Sequence, residues 1–194
     1  MLNLTGELPD SIIASCGGGS NAMGIFHNFL DEPNIELIVV EAGGRGISET
    51  ETHCDHAARF ETGRMGVVEG YKSFFLQNSD GQIKNSHSIS PGLDYSGVGP
   101  QIAYLRKIGR IKSRFALDSE VLEAYTLLAE TEGIIAALES AHAVAEAIKA
   151  ARRMPRDKNV VCHVSGRGEK DLFITADHFD GENFRHFLQG MISK

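Results

Sequence analysis

The chain has 194 residues, with 19 Lys+Arg against 26 Asp+Glu, a formal net charge of −7 and no block of basic residues. That balance excludes a nucleic-acid groove, which needs clustered positive charge to neutralise phosphates. Hydrophobic residues make up 42%, enough for a core and too many for a disordered chain, and no run of about 20 apolar residues marks a transmembrane helix.

Residues 1–15 have neither the basic start nor the long apolar stretch of a signal peptide. Ser11–Ser15 is a short apolar run that reads as a buried strand. Gly17–Asn21 follows as a loop, and Ala22 to about Leu30 reads as a helix with Met23, Phe26 and Leu30 near one face. Pro33 and Asn34 break it, and Glu36–Glu41 is a second buried strand. Strand, helix and strand in this order predict a βαβ unit and a parallel sheet with a right-handed crossover.

Gly43 to about Gln101 is rich in Gly, Ser, His and Asp. It predicts a long irregular segment carrying short strands around Met65–Val68 and Tyr71–Leu76, of the kind that tends to be functional. From Asp118 the pattern turns helical. Asp118 or Ser119 caps a helix to about Thr131, with Val121, Leu122, Tyr125 and Leu128 on one side, and Gly133 ends it. Ile134–Leu138 is a short buried run, and Glu139 or Ser140 starts an Ala-rich helix to about Arg153. Asn159–Val164 reads as a strand with the turn Ser165–Gly168 at its C-terminal end, and a turn and a final helix follow from Asp171.

The expected class is α/β: an open, mostly parallel twisted sheet with flanking helices, in one domain over residues 1–194. Ligands in such sheets bind beyond the C-terminal strand ends, where the loops Gly17–Asn21 and Ser165–Gly168 fall. The three cysteines, Cys16, Cys54 and Cys162, are odd in number and widely spaced. They give no disulfide framework and point to a reducing compartment, by default the cytoplasm.

Three successive glycines between a strand and a helix start present free N–H groups and suit a phosphate, since any Cβ would hold it away. Ser20 and Asn21 can add side-chain donors. The bland reading of the loop is a tight turn. Gly17-x-Gly19-x-x-Ala22 also fits the dinucleotide pattern, with Glu41 ending the second strand where an acid would hold a ribose hydroxyl. A dinucleotide-binding oxidoreductase is therefore one reading. His53-Cys54-Asp55-His56 has ligand types for a metal but no second ligand pair at a typical spacing, so it reads as a surface loop.

Longer segments carry a resemblance. Ala14-Ser15-Cys16-Gly17-Gly18-Gly19-Ser20-Asn21-Ala22-Met23-Gly24 resembles the phosphate-binding segment of the tryptophan synthase β-chain family. The likeness continues through Val40–Gly44, Asp80–Ile83, Ser88–Tyr95, Val98–Pro100 and Glu132–Ala143, and closes with Ser165-Gly166-Arg167-Gly168-Glu169-Lys170-Asp171. The family is made of fold-type II pyridoxal-phosphate enzymes that join L-serine and indole by β-replacement to give L-tryptophan.

The resemblance implies pyridoxal 5′-phosphate as cofactor, its phosphate held by Gly17, Gly18, Gly19, Ser20 and Asn21. It implies that Ser165 hydrogen-bonds the pyridine nitrogen, that Glu139 lies beside the ring, and that Asp94 lies near the substrate serine. It further implies a monovalent cation held by backbone carbonyls at Gly17, Glu41, Tyr95 and Gly97. The family's partners are an α chain and a second β chain, in an α2β2 assembly. Ser48–Glu61 is where this sequence differs most from the family, and the difference bears on the carbonyls nearby. None of the eight lysines lies in a segment resembling the family's Schiff-base lysine motif. The reading is thus of a C-terminal portion without the N-terminal domain, expected to be inactive and poorly soluble alone, or to complement a separate N-terminal piece as a non-catalytic module.

Overall fold

A computed structural model describes residues 5–192. Residues 1–4 of the stretch read against a signal peptide, and Lys194 among the lysines weighed, lie outside the described residues. The elements in chain order are β1 (Ser11–Ser15), α1 (Ser20–Phe26), β2 (Glu36–Gly44), α2 (Arg59–Thr62), β3 (Arg64–Val68) and β4 (Tyr71–Phe75). They continue with α3 (Pro100–Lys107), β5 (Ile111–Leu117), α4 (Asp118–Glu132), α5 (Leu138–Arg153), β6 (Val160–Cys162) and α6 (Leu172–Ile192).

The main sheet has the order β5-β2-β1-β6, and every pairing in it is parallel. Its two faces carry separate cores, which explains why β1 and β2 are continuous apolar runs and not alternating ones. Ile12, Ala14, Leu37 and Val39 pack with Phe26 and Ile102 on one face. Ile13, Ile38 and Val40 pack with Val121, Leu138 and Ala141 on the other. Helices therefore cover both faces and leave the strand ends free.

Several boundaries differ from the expected ones for local reasons. α1 stops at Phe26, and His27–Phe29 tightens into a 3-10 turn. Arg110 closes that corner: its guanidinium donates to the carbonyls of Phe29 (2.6 Å), Leu30 (2.7 Å), Glu32 (2.9 Å) and Ile35 (3.1 Å). Of the run Ile134–Leu138, only Ala136, Ala137 and Leu138 are buried, while Ile134 and Ile135 are exposed. The segment 102–117, which carries no assignment from its pattern alone, completes α3 and forms the edge strand β5. At the start of α4, Glu120 reaches back to accept the Leu117 N–H (2.9 Å). Asp118 is not the cap; it accepts the Ile89 N–H (3.2 Å) and pairs with His87 (2.8 Å).

The long segment after β2 is less irregular than its composition implies. β3 and β4 form an antiparallel hairpin in register from Arg64↔Phe75 to Val68↔Tyr71. Its two-residue turn, Glu69 (φ +50°) and Gly70 (φ +84°), has the left-handed backbone that matches strand twist. The remainder is tied by single bridges such as Ala42↔Ala57 and Phe75↔Gly97. Among the described residues, no helix is long and apolar enough to cross a membrane.

Phe26 is fully buried on the α1 side of the sheet. Phe26→Ala is expected to cost about 3–5 kcal/mol, the usual range for emptying a buried aromatic site. Urea unfolding checks it, and an unchanged midpoint would contradict the packing described.

Candidate functional site

The chain leaves β1 at Ser15 and turns at once through the three glycines. A Cβ on Gly17 would lie 2.6 Å from the Gly92 carbonyl oxygen. Gly19 has φ +103°, and a Cβ there would lie 2.5 Å from the Ile102 side chain. These two glycines are needed for the path of the chain. Gly18 is not: a Cβ there meets nothing within 4 Å, and the residue is exposed. Among the described residues, the N–H groups of Gly17, Gly18, Gly19 and Ser20 make no backbone hydrogen bond. Asn21 turns its side-chain amide inward, donating to the Ser15 carbonyl (3.1 Å), and so fixes the end of β1.

A cavity of about 260 Å³ opens beside this loop, lined by Ser15, Gly17–Asn21, Gly92, Leu93, Ala137, Glu139, Ser165, Gly166 and Lys170. Both loops predicted to lie at strand ends therefore meet in one place. A larger hollow of about 520 Å³ lies between α4 and α6. It contains none of the candidate residues.

Glu139 enters the cavity from the first turn of α5. Its Oε1 accepts the Gly92 N–H (2.9 Å), and Oε2 pairs with Lys170 Nζ (2.7 Å). Burial raises its pKa, but Lys170, backbone and Ser90 hydrogen bonds outweigh this and hold the carboxyl below its usual range. Lys170 is drawn up in turn: burial lowers it, and the bonds to Asp171 (2.6 Å) and Glu139 raise it more. It is an ammonium held by two carboxylates, poorly suited to act as a nucleophile. Asp171 also accepts the Leu138 N–H (2.9 Å) and thereby secures the start of α5.

Ser165 lies three residues beyond β6, where its N–H donates to the Ser140 hydroxyl (3.0 Å) and its own hydroxyl lies 3.4 Å from it. Asp94 is exposed, accepts the Ser86 hydroxyl (2.7 Å), and does not line the cavity. Cys16 lies beneath the loop, and burial pushes its thiol up to about 12, so it is inert.

Behind the glycine loop is a residue that the sequence reading did not single out. Arg59, at the start of α2, is fully buried. Its Nη2 donates to the carbonyls of Cys16 (2.7 Å) and Gly17 (2.8 Å), and its Nη1 to that of Tyr95 (2.8 Å). Its Nε lies 2.9 Å from Glu41 Oε1. Glu41 also accepts the N–H groups of Arg59 (3.0 Å) and Phe60 (2.9 Å). Burial pushes the Glu41 carboxyl up, against the pull of Arg59 and the two amides. Gly97, the remaining carbonyl candidate, is packed against Phe75.

The His53–His56 segment is not a simple surface loop: Cys54 and His56 are buried. Glu49, Cys54 and His56 bring possible ligand atoms within 4.8 Å of one another. Lys84 Nζ lies 3.4 Å from Glu49 Oε2 and already supplies positive charge there. His56 Nδ1 is engaged as well, accepting the Ala58 N–H (3.0 Å).

Residues 1–166 match the family described as "Pyridoxal-phosphate dependent enzyme". The chain belongs to this family of pyridoxal-phosphate dependent enzymes. It is 49% identical over 173 residues to a tryptophan synthase beta chain of Allorhizobium ampelinum, a match covering 89% of this chain and 42% of that one. The chain thus spans under half the length of that relative. Its fold is similar to a fungal L-serine ammonia-lyase from Rhizomucor miehei, with a TM-score of 0.59 and 19% identity, over 85% of this chain and 47% of that one. It is also similar to a T.th. threonine deaminase, with a TM-score of 0.58 and 17% identity, over 86% and 49%.

The cavity fits the family's cofactor. The open side of Gly18 and the uncommitted N–H groups around it suit a phosphate, and Ser165 offers a neutral hydroxyl at the facing loop. A monovalent cation does not fit its expected place. Of the four carbonyls, those of Gly17 and Tyr95 are already hydrogen-bonded to Arg59, whose positive charge, balanced by the Glu41 side-chain carboxylate, occupies that place. That engagement also removes Glu41 from the ribose role of the dinucleotide reading.

The Glu139–Lys170 pair has a defined pH signature. A carboxyl lowered by folding stabilises the fold above the ordinary glutamate value of about 4.3, and that contribution is lost as the pH falls through the lowered value. A raised lysine contributes below about 10.4, and its contribution is lost as the pH rises through the raised value. Glu139→Gln should therefore flatten the loss of stability on the acid side. Urea midpoints between about pH 3 and pH 6 check this; equal slopes for variant and wild type would contradict it.

Proposed function

We propose that this chain forms the cofactor-binding part of a tryptophan synthase β-chain enzyme, which joins L-serine and indole by β-replacement to give L-tryptophan. The observation that carries the reading is the meeting of Gly17–Asn21, Glu139 and Ser165 in one cavity at the ends of two adjacent parallel strands. The 49% identity to a tryptophan synthase beta chain supports it over the other activities of the family.

In this reading the N–H groups of the glycine loop, with Ser20, bind the cofactor's phosphate. Ser165 orients the pyridine ring through its nitrogen. A hydroxyl is neutral, so it does not hold a proton at that atom as a carboxylate would. When bound, the cofactor supplies an electron sink for charge developing on the substrate. Glu139 stands beside the ring as a carboxylate held by Lys170, and Asp94, outside the cavity lining, serves the substrate serine. Lys170 is committed to two carboxylates. Among the described residues Lys170 is also the one lysine in the cavity lining, so this reading assigns the lysine that bonds the cofactor to the length of the relative that this chain does not span.

The same reading assigns the partners: an α chain and a second β chain in an α2β2 assembly. The three cysteines are free, which agrees with a reducing, cytoplasmic setting.

The polypeptide as naturally produced should retain pyridoxal phosphate through gel filtration and form tryptophan from L-serine and indole. Gly18→Ala should leave the melting temperature unchanged and weaken cofactor binding by about tenfold, since the added methyl stands between phosphate and amides. Binding of a nicotinamide dinucleotide in place of pyridoxal phosphate would overturn the reading.

A further inference from the structure

Two of the four carbonyls expected to hold a free monovalent ion, those of Gly17 and Tyr95, already face a cation that belongs to the chain. The Arg59 guanidinium is enclosed by the carbonyls of Cys16, Gly17 and Tyr95 and by the Glu41 carboxylate, all at 2.7–2.9 Å. These acceptors come from three separate places: the start of the glycine loop, the Glu41 side chain within β2 and the turn after Gly92. We propose that Arg59 is a resident cation that takes the place of a bound alkali ion, so that this chain binds its cofactor without sodium or potassium.

Three physical points support this. Guanidinium stays charged at any working pH, so the site cannot be emptied by deprotonation. Its planar fork serves several oxygens at fixed angles, as an ion does by coordination. A second cation on the same carbonyls would sit against a like charge that Glu41 alone balances.

The arrangement also reaches the cavity. In a trans peptide the C=O and the following N–H point to opposite sides, and the chain has no cis peptide among the described residues. Aiming the Cys16 and Gly17 oxygens at Arg59 therefore turns the N–H groups of Gly17 and Gly18 away from it. Both glycines line the cavity. Arg59 is thus a positioning residue for the phosphate-binding loop, acting from behind it. It lies within Ser48–Glu61, the segment that reads from the sequence as differing most from the family.

The test measures melting temperature and pyridoxal-phosphate Kd for the polypeptide as naturally produced. It uses chlorides of sodium, potassium, caesium and tetramethylammonium at equal ionic strength. Both quantities should coincide in all four salts for the wild type. In Arg59→Ala the vacated oxygens should accept an ion, and Kd should then tighten by about tenfold between tetramethylammonium and the best alkali salt. A wild-type melting temperature or Kd that changes saturably with one alkali ion overturns the proposal. So does an Arg59→Ala variant that folds and binds the cofactor as tightly as wild type in tetramethylammonium. If that variant does not fold, the wild-type comparison decides alone. The cofactor arm rests on the proposed function. If no salt supports cofactor binding, that reading falls, while the melting temperatures still decide the role of Arg59.

Discussion

Taking a guanidinium out of water costs several kcal/mol, which is recovered only when a counter-charge and enough acceptors surround it. Arg59 has both, in Glu41 and three carbonyls. The acceptors are the main-chain carbonyls just after β1 and at Tyr95, together with the Glu41 carboxylate from β2, so satisfying the charge draws three parts of the chain to one point. The direction of the glycine loop follows from that. Removing either partner of such a pair typically costs about 3–5 kcal/mol, because the other is left buried and unmatched. The Arg59–Glu41 pair is therefore part of the framework of the site, not an addition to its surface.

The sheet supplies the other half of the arrangement. β1 lies between β2 and β6 with parallel pairing on both sides, so the C-terminal ends of all three strands point the same way. Burial of both faces leaves the strand ends as the open part of the sheet, and two loops of unusual chemistry leave from them. α5 adds Glu139 from its first turn, held in place by Lys170 and Gly92. Lys170 and Asp171 do structural work at the rim: one holds the glutamate ionised, the other secures the start of the helix. The cavity is defined more by which main-chain amides are left unpaired than by any single side chain.

Much of this was legible in the sequence because its determinants are local. Ser11–Ser15, Glu36–Glu41 and the Ala-rich helix have apolar spacing that only one kind of element can use. The glycine loop and Ser165–Gly168 announce themselves by composition, and the strand-end rule brings them together. β5 was not legible. Lys112 and Arg114 interrupt its apolar run and alternate with the buried Ile111 and Ser113, as suits an edge strand with one exposed side. The buried half of His53–His56 was also hidden, because Cys and His in a polar stretch look alike whether they face inward or outward. Arg59 was the hardest to see. Its role depends on Cys16, Gly17 and Tyr95, between 36 and 43 positions away, and arginine in a loop is ordinarily solvated. The one sequence signal is indirect: it falls in Ser48–Glu61, the segment that reads as differing most from the family. Asp94 was placed near the substrate by resemblance, and the structure sets it outside the cavity lining, bonded to Ser86.

The most direct test is a crystal structure of the naturally produced polypeptide with pyridoxal phosphate, grown in a rubidium salt and measured for anomalous scattering. Phosphate density is expected against Gly17–Asn21, with the Arg59 guanidinium on the oxygens of Cys16, Gly17 and Tyr95 and no rubidium peak among them. Phosphate bound elsewhere, or rubidium on those oxygens with Arg59 displaced, would contradict that expectation.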